Sequence, residues 1–142
     1  MIYTDLTKRA MQIAYNAHHG QIDKSGVPYV FHPIHLAEQM QTEAETIIAL
    51  LHDVVEDTDI TLDDLVKEGF PEEVISALQL LTHDDTVPYM DYVREIKNNS
   101  IARAVKLADL IHNSDTGRLC KIDEKAKERL EKYKQAIAIL SD

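Results

Sequence analysis

Ile47, Ile48, Leu50, Leu51, Val54 and Val55 form an almost unbroken apolar run, and two adjacent polar pairs, His52-Asp53 and Glu56-Asp57, sit inside it. Thr42, with Glu45 three residues on, is a capping box that starts a helix just ahead of the run. Residues four apart share a helix face, so the spacing predicts one helix with His52 beneath Glu56 and Asp53 beneath Asp57. Such a helix is apolar on its other sides and therefore belongs in a core. Ionisable groups are costly there unless something pairs them. A chain with this pattern must build a buried helix around a polar site, and a metal ion is the most economical occupant of that site.

The rest of the chain reads as further helices. Thr4 or Asp5 caps a first one, with Leu6, Ala10, Ile13, Ala14 and Ala17 at helical spacing and Gly20 at its end. Gln21 to Phe31 lacks a sustained period and reads as an ordered loop. Pro33 suits the first turn of a second helix to about Gln41, which puts His32 at its start. Beyond the central helix, Thr61 with Asp64 opens a short helix that Gly69 ends, and Pro71-Glu72-Glu73 opens another through Leu81. Pro88 begins a helix with Tyr89, Tyr92, Val93 and Ile96 inward. Ser100 is expected to cap a nearly all-round apolar helix holding Asp109, His112 and Asn113. Asp123 starts the last, with Leu130, Tyr133, Ile137 and Leu140 facing in.

Four Gly and four Pro among 142 residues favour long helices over many turns, so the expected class is all-α, a single helical bundle over 1–142. A formal charge of −10 opposes nonspecific attraction to nucleic acid or an anionic membrane. The single Cys120 excludes an internal disulfide, and no nearby basic cluster argues for a reactive thiol. Without a charged-then-apolar leader or an apolar run near 18 residues, the expected location is cytoplasmic. The sequence does not decide an oligomeric state.

Asp109 is a second polar residue in an apolar setting, flanked by Leu107, Ala108, Leu110 and Ile111. Lys106, one turn earlier, is one partner for it. The other is a divalent ion shared with His52 and Asp53, with His32 adding a second imidazole. Two imidazoles and two carboxylates without thiolate suit Mn, Fe, Co or Zn. Such an ion lowers the pKa of a bound water toward neutrality and polarises a phosphoryl oxygen, so attack of hydroxide on a phosphate ester is the expected chemistry. Glu56 and Asp57, one turn from the ligands, are placed to orient that water or relay its protons.

The order His32, His52-Asp53, Asp109 resembles the HD-domain phosphohydrolase superfamily. His19-Gly20-Gln21, Lys24-Ser25-Gly26, Pro28-Tyr29, His32-Pro33, His52 through Thr58, and Lys106 through Asp109 with His112-Asn113 resemble more closely the hydrolase domain of RelA/SpoT proteins. The resemblance implies a helical bundle that removes pyrophosphate from the 3′ position of (p)ppGpp at a Mn centre. It assigns the metal to His32, His52, Asp53 and Asp109, the acidic pair to Glu56 and Asp57, and substrate contacts to Lys24, Ser25, Asn113 and Thr116. Asp23, Leu110 and Asp115 stand where the family pattern has Arg. A less highly charged phosphate ester loses less from those changes, since each charge-assisted contact is worth about 1.5–3 kcal/mol.

The expected function is therefore metal-dependent hydrolysis of a phosphate or pyrophosphate ester of a small nucleotide. A nucleotide monophosphatase or NADPH-type phosphatase on the same centre, and a non-catalytic nucleotide sensor, are the alternatives. His112 either joins the site or has a structural role. His18, His19, His35 and His83 carry no partner pattern and read as surface or capping residues.

Overall fold

Thr42 does cap the central helix, its hydroxyl accepting the Glu45 N–H at 3.2 Å. The Glu45 carboxylate reaches one residue further back than a capping box requires, to the N–H of Gln41. The computed structural model describes residues 1–142. It contains α1 (Asp5–Ala17), α2 (Phe31–Glu38), α3 (Glu43–Leu51), α4 (Val54–Asp57), α5 (Leu62–Lys67), α6 (Glu72–Leu81), α7 (Tyr89–Ile96), α8 (Ser100–Asn113), a 3₁₀ turn (Thr116–Arg118) and α9 (Glu124–Ser141). The all-α expectation holds. The sole β feature is one isolated antiparallel bridge, Ile22 to Pro28, in the loop after α1.

The expected continuous helix through Asp57 is corrected. It stops at Leu51, and a single turn, α4, restarts at Val54, with His52 and Asp53 in the break. Helix α3 is otherwise as the pattern demanded. Thr46 through Leu51 are all buried, and α1, α2, α6 and α8 pack around it. Each fully buried Leu or Ile there contributes about 1.5–3 kcal/mol. No helix in the chain is long and apolar enough to cross a membrane.

Boundaries elsewhere follow local chemistry. Thr4 and Thr7 form a reciprocal capping box, as do Thr61 and Asp64. Gly69, at φ +92°, provides the left-handed turn that ends the α5 segment. The cap of α8 is Asn99 rather than Ser100: the Asn99 side chain accepts the N–H groups of Ile101 and Ala102 at 3.1 and 3.0 Å. Asp123 caps α9 through the Ala126 N–H. On α9 the buried side chains are Ala126, Ala136 and Leu140, while Leu130, Tyr133 and Ile137 are only partly covered. This half-open helix forms one wall beside α8, where the second polar cluster lies.

Candidate metal centre

Three segments bring the polar residues together. The first turn of α2 carries His32, the α3–α4 break carries His52 and Asp53, and the third turn of α8 carries Asp109. One donor atom from each lies within 4.8 Å of every other. His32 Nε2 is 2.8 Å from Asp109 Oδ1, His52 Nε2 is 2.9 Å from Asp53 Oδ2, and His52 Nε2 is 3.5 Å from Asp109 Oδ1. His32, His52 and Asp109 are buried, and Asp53 is 18% exposed at its side chain.

The surroundings fix how each group points. His52 Nδ1 donates to the Ala49 carbonyl at 2.7 Å, which leaves Nε2 facing the cluster with its lone pair. Unprotonated, that buried Nε2 meets the carboxylate oxygens of Asp53 and Asp109 as one acceptor meets another and has no hydrogen-bond partner. Tyr29 donates its hydroxyl to Asp53 Oδ2. Asp109 is held from two sides, by Lys106 Nζ on Oδ2 at 3.0 Å and by Asn113 Nδ2 on Oδ1 at 3.1 Å. His32 Nδ1 lies 2.7 Å from His112 Nδ1, and the His35 ring stacks on His112 with centroids 4.1 Å apart.

The charges sum to a trap for cations. Burial alone raises the Asp109 carboxyl pKa, but Lys106 and the two imidazoles outweigh it and hold it well below the carboxylate range. Burial likewise disfavours a charged His52, yet Asp53 and Asp109 raise its pKa well above the imidazole value. The site therefore attracts positive charge at Nε2, a proton or a metal ion. Two imidazoles, two carboxylates and an orphaned buried nitrogen fit a divalent cation of the borderline class. Lys106 takes one oxygen of Asp109 and leaves the other, Oδ1, facing His32 and His52.

Glu56 and Asp57 lie on α4, directly after the break. Burial raises the pKa of both, with Asp53 adding to the shift in Asp57. Glu56 does not stack on His52; its Oε1 accepts the backbone N–H of His83. The expected substrate residues divide. Lys24 and Asn113 line a cleft of about 330 Å³ beside Tyr29, together with Arg118, Arg129 and Tyr133. Ser25 lies in the wall of a wider neighbouring cleft of about 610 Å³, with its hydroxyl on the Arg118 carbonyl. Thr116 sits on the exposed 3₁₀ turn and lines neither cleft.

The expectation of surface or capping roles holds for His19 and His35, which are exposed, and for His18 as the C-cap of α1, while His83 departs from it. His18 is buried, bonded to Gln21 and packed on Tyr29 at 4.9 Å. His35 stacks on His112, and His83 folds the loop before α7. Arg118 and Arg129 were missed as well. Arg129 lies in an alternating Lys/Glu run that reads as a solvated face, and only the packing of α9 on α8 turns it into the cleft. Asp23 and Asp115, at two of the family's Arg positions, are turn caps: Asp23 accepts the N–H groups of Ser25 and Val27, and Asp115 that of Gly117. Neutral His112, pushed down to about 4 by burial and by Arg118, His32 and His35, lines the wider cleft.

The helical fold and the His-His-Asp-Asp cluster define an HD domain, and the HD domain family model matches residues 10–137. The chain belongs to that family. It is 37% identical over 127 residues to the guanosine-3′,5′-bis(diphosphate) 3′-pyrophosphohydrolase of Borreliella burgdorferi, covering 76% of this chain and 18% of that protein. It is 36% identical over 142 residues to a GTP pyrophosphokinase of Streptomyces coelicolor, covering 89% of this chain and 17% of that protein. Against the much shorter guanosine-3′,5′-bis(diphosphate) 3′-pyrophosphohydrolase MESH1 of Homo sapiens, identity is 34% over 122 residues, covering 78% of this chain and 68% of MESH1. A solved structure of a metazoan ortholog of SpoT superposes with a TM-score of 0.77 at 24% identity, covering 99% of this chain and 88% of that one, and shows the same fold. The chain thus spans under a fifth of the long bacterial relatives and two thirds of MESH1.

Proposed function

We propose that residues 1–142 act as one divalent-metal-dependent phosphohydrolase that cleaves a phosphate or pyrophosphate ester of a small nucleotide, with (p)ppGpp-like compounds as its substrate class. The observation that carries the reading is the buried His52 Nε2, which has no partner and faces Asp53, Asp109 and His32 within 4.8 Å. His32, His52, Asp53 and Asp109 hold the ion, which we take to be manganese. A divalent cation supplies Lewis-acid polarisation of a phosphoryl oxygen and acidifies water to near neutrality.

The chain's own side chains do the rest. Lys106 and Tyr29 fix the carboxylates of Asp109 and Asp53, so the ligand oxygens do not swing when the substrate's charge arrives. His112, neutral at physiological pH, takes the Nδ1–H of His32 and leaves His32 Nε2 as a donor atom. Glu56, raised in pKa by burial, accepts a proton from the attacking water, and Asp57 relays it toward solvent.

Lys24, Arg118 and Arg129 offer three cations along the narrower cleft. Lys24 is lowered in pKa, first by burial and then by Arg129, with Asp123 opposing the shift, as expected where like charges are drawn together. Arg118 and Arg129 supply positive charge that Asp23, Leu110 and Asp115 withhold, which supports a substrate with more than one phosphate. Asp23 and Asp115, both spent on turn amides, support a reading in which base recognition differs from the family pattern. That leaves the orthophosphate-releasing phosphatase as the second reading.

The test is metal content and turnover on one preparation. Purified chain should carry about one divalent ion, and a panel of phosphorylated nucleotides with added Mn²⁺ should release pyrophosphate from (p)ppGpp. Orthophosphate release from monophosphates or NADPH alone would favour the second reading, and tight nucleotide binding with zero turnover across metals would favour a sensor.

A further inference from the structure

The loop between α6 and α7, Thr82 to Pro88, is tied almost entirely to itself. His83 Nε2 donates to the Val87 carbonyl at 2.7 Å, Asp84 Oδ1 accepts the Thr86 N–H at 2.9 Å and its hydroxyl at 2.8 Å, and the Val87 N–H donates to the Asp84 carbonyl at 2.9 Å. The His83 ring packs on Tyr92 with centroids 4.6 Å apart and meets Tyr89 edge-on at 5.9 Å. Tyr92 is itself pinned, its hydroxyl donating to the buried Leu81 carbonyl at 2.6 Å. Of the loop's backbone N–H groups, that of Thr82 closes the last turn of α6, and that of His83 reaches a distant element, where its acceptor is Glu56 Oε1.

We infer that His83 is a positioning residue for Glu56: its imidazole folds the loop so that its own backbone N–H anchors one oxygen of the Glu56 carboxylate and leaves the other for the reaction. This rests on the reading of Glu56 as the proton acceptor. A carboxylate on a one-turn helix, exposed on one side, has several rotamers, and a base is effective only in the one that reaches the water. A hydrogen bond donated by a backbone N–H to an ionised carboxylate is charge-assisted, which selects that rotamer without entering the chemistry. The imidazole is the means of holding the amide still, because its bond to Val87 closes the loop and its two tyrosine contacts fix the ring. His83 touches neither substrate nor ion; it acts through Glu56.

The experiment compares the full chain with His83→Ala, His83→Gln and Glu56→Gln, each checked for helicity by circular dichroism and for bound Mn²⁺. His83→Ala should lower kcat about tenfold with KM and metal content unchanged, the scale expected of a misplaced but intact catalytic group. His83→Gln, whose amide can still donate to Val87, should recover most of that loss. Independently of turnover, the residue-83 amide proton should resonate downfield in the wild-type ¹⁵N–¹H spectrum and move upfield in both Glu56→Gln and His83→Ala. A kcat for His83→Ala within twofold of wild type, or an amide resonance indifferent to Glu56→Gln, would overturn the inference. Full turnover in Glu56→Gln would instead sink the assignment of Glu56 beneath it, whatever the amide shows, so the two failures are distinguishable.

Discussion

Replacing Lys106 by Met probes whether the centre is held together by charge. Lys106 Nζ lies 3.0 Å from Asp109 Oδ2, with the two side chains only 14% and 7% exposed. At that separation and an effective dielectric near 20 the attraction is about 5–6 kcal/mol. Desolvation of both groups offsets part of it, and removing one member of a buried pair costs about 3–5 kcal/mol because the other stays behind uncompensated. His32 and His52 still face Asp109, which places the expected loss at the lower end, about 3 kcal/mol in metal-free protein. The pH window follows from the directions of the two shifts. The Asp109 pKa is depressed in the fold, so its contribution is present above the unfolded carboxylate value near 4 and fades as pH falls through the folded value. The Lys106 pKa is raised in the fold, so its contribution is present below the unfolded lysine value near 10 and fades as pH rises through the folded value. Urea unfolding at pH 7 with chelator therefore sees the full effect, and a thermal scan should show a fall of roughly 6–12 °C. The double variant Lys106→Met with Asp109→Leu should recover much of the loss, since that buried pair is then wholly apolar. Excess Mn²⁺, at about 100 times its Kd, should add about 2.7 kcal/mol to the wild type. Equal stability of Lys106→Met and wild type in chelator would refute the reasoning.

Three further outcomes follow from the same geometry. His52→Ala or Asp53→Ala should lose both bound metal and hydrolysis, read by elemental analysis and product release; full activity in either would remove the basis of the proposed mechanism. Glu56→Gln should keep the metal and lose turnover by about 10²–10⁴-fold, the scale of a missing general base. Mn²⁺ affinity should weaken as pH falls and binding should release protons, because the raised pKa of His52 makes a proton compete with the ion for Nε2; isothermal titration in buffers of different ionisation enthalpy measures this, and a pH-independent affinity would contradict it.

The fold was largely legible because its signals are local. Thr4, Thr61, Asp123 and the Gly69 turn are caps whose chemistry is complete within four residues, and the apolar run of α3 is buried on every side as its composition demands. The Asn99 cap was misread because Ser100 is an equally good cap in isolation, and only the two N–H groups meeting Asn99 Oδ1 separate them. The four-residue cluster was legible for a different reason: ionisable groups embedded in apolar runs are conspicuous wherever they occur. Residues brought to the site from polar surroundings carried no such signal. Arg118 ends the short 3₁₀ turn, Arg129 hides in a charged helix face, and His83 becomes informative only when the loop places its amide against Glu56.

The helix break at His52-Asp53 is the place where local preference and the site disagree, and the site prevails. Periodicity predicts an uninterrupted helix because every residue from Thr46 to Val55 tolerates one. Periodicity does not register that the His52 imidazole bonds back to the Ala49 carbonyl, three residues earlier, offering that carbonyl a side-chain partner within the helix's own ladder. Asp53 is meanwhile drawn toward Tyr29 from the loop after α1. Both interactions orient donor atoms toward Asp109 and His32, and both favour a kink over continuation. The break also re-aims α4, and Glu56 there reaches the His83 amide instead of lying over His52 as an unbroken helix would require. A continuous helix would stack the four polar groups in one column along a single face. The broken one separates them into a pair that faces the buried cluster and a pair that is exposed beside it, and under the proposed function that division lets one short segment supply both ligands and a base.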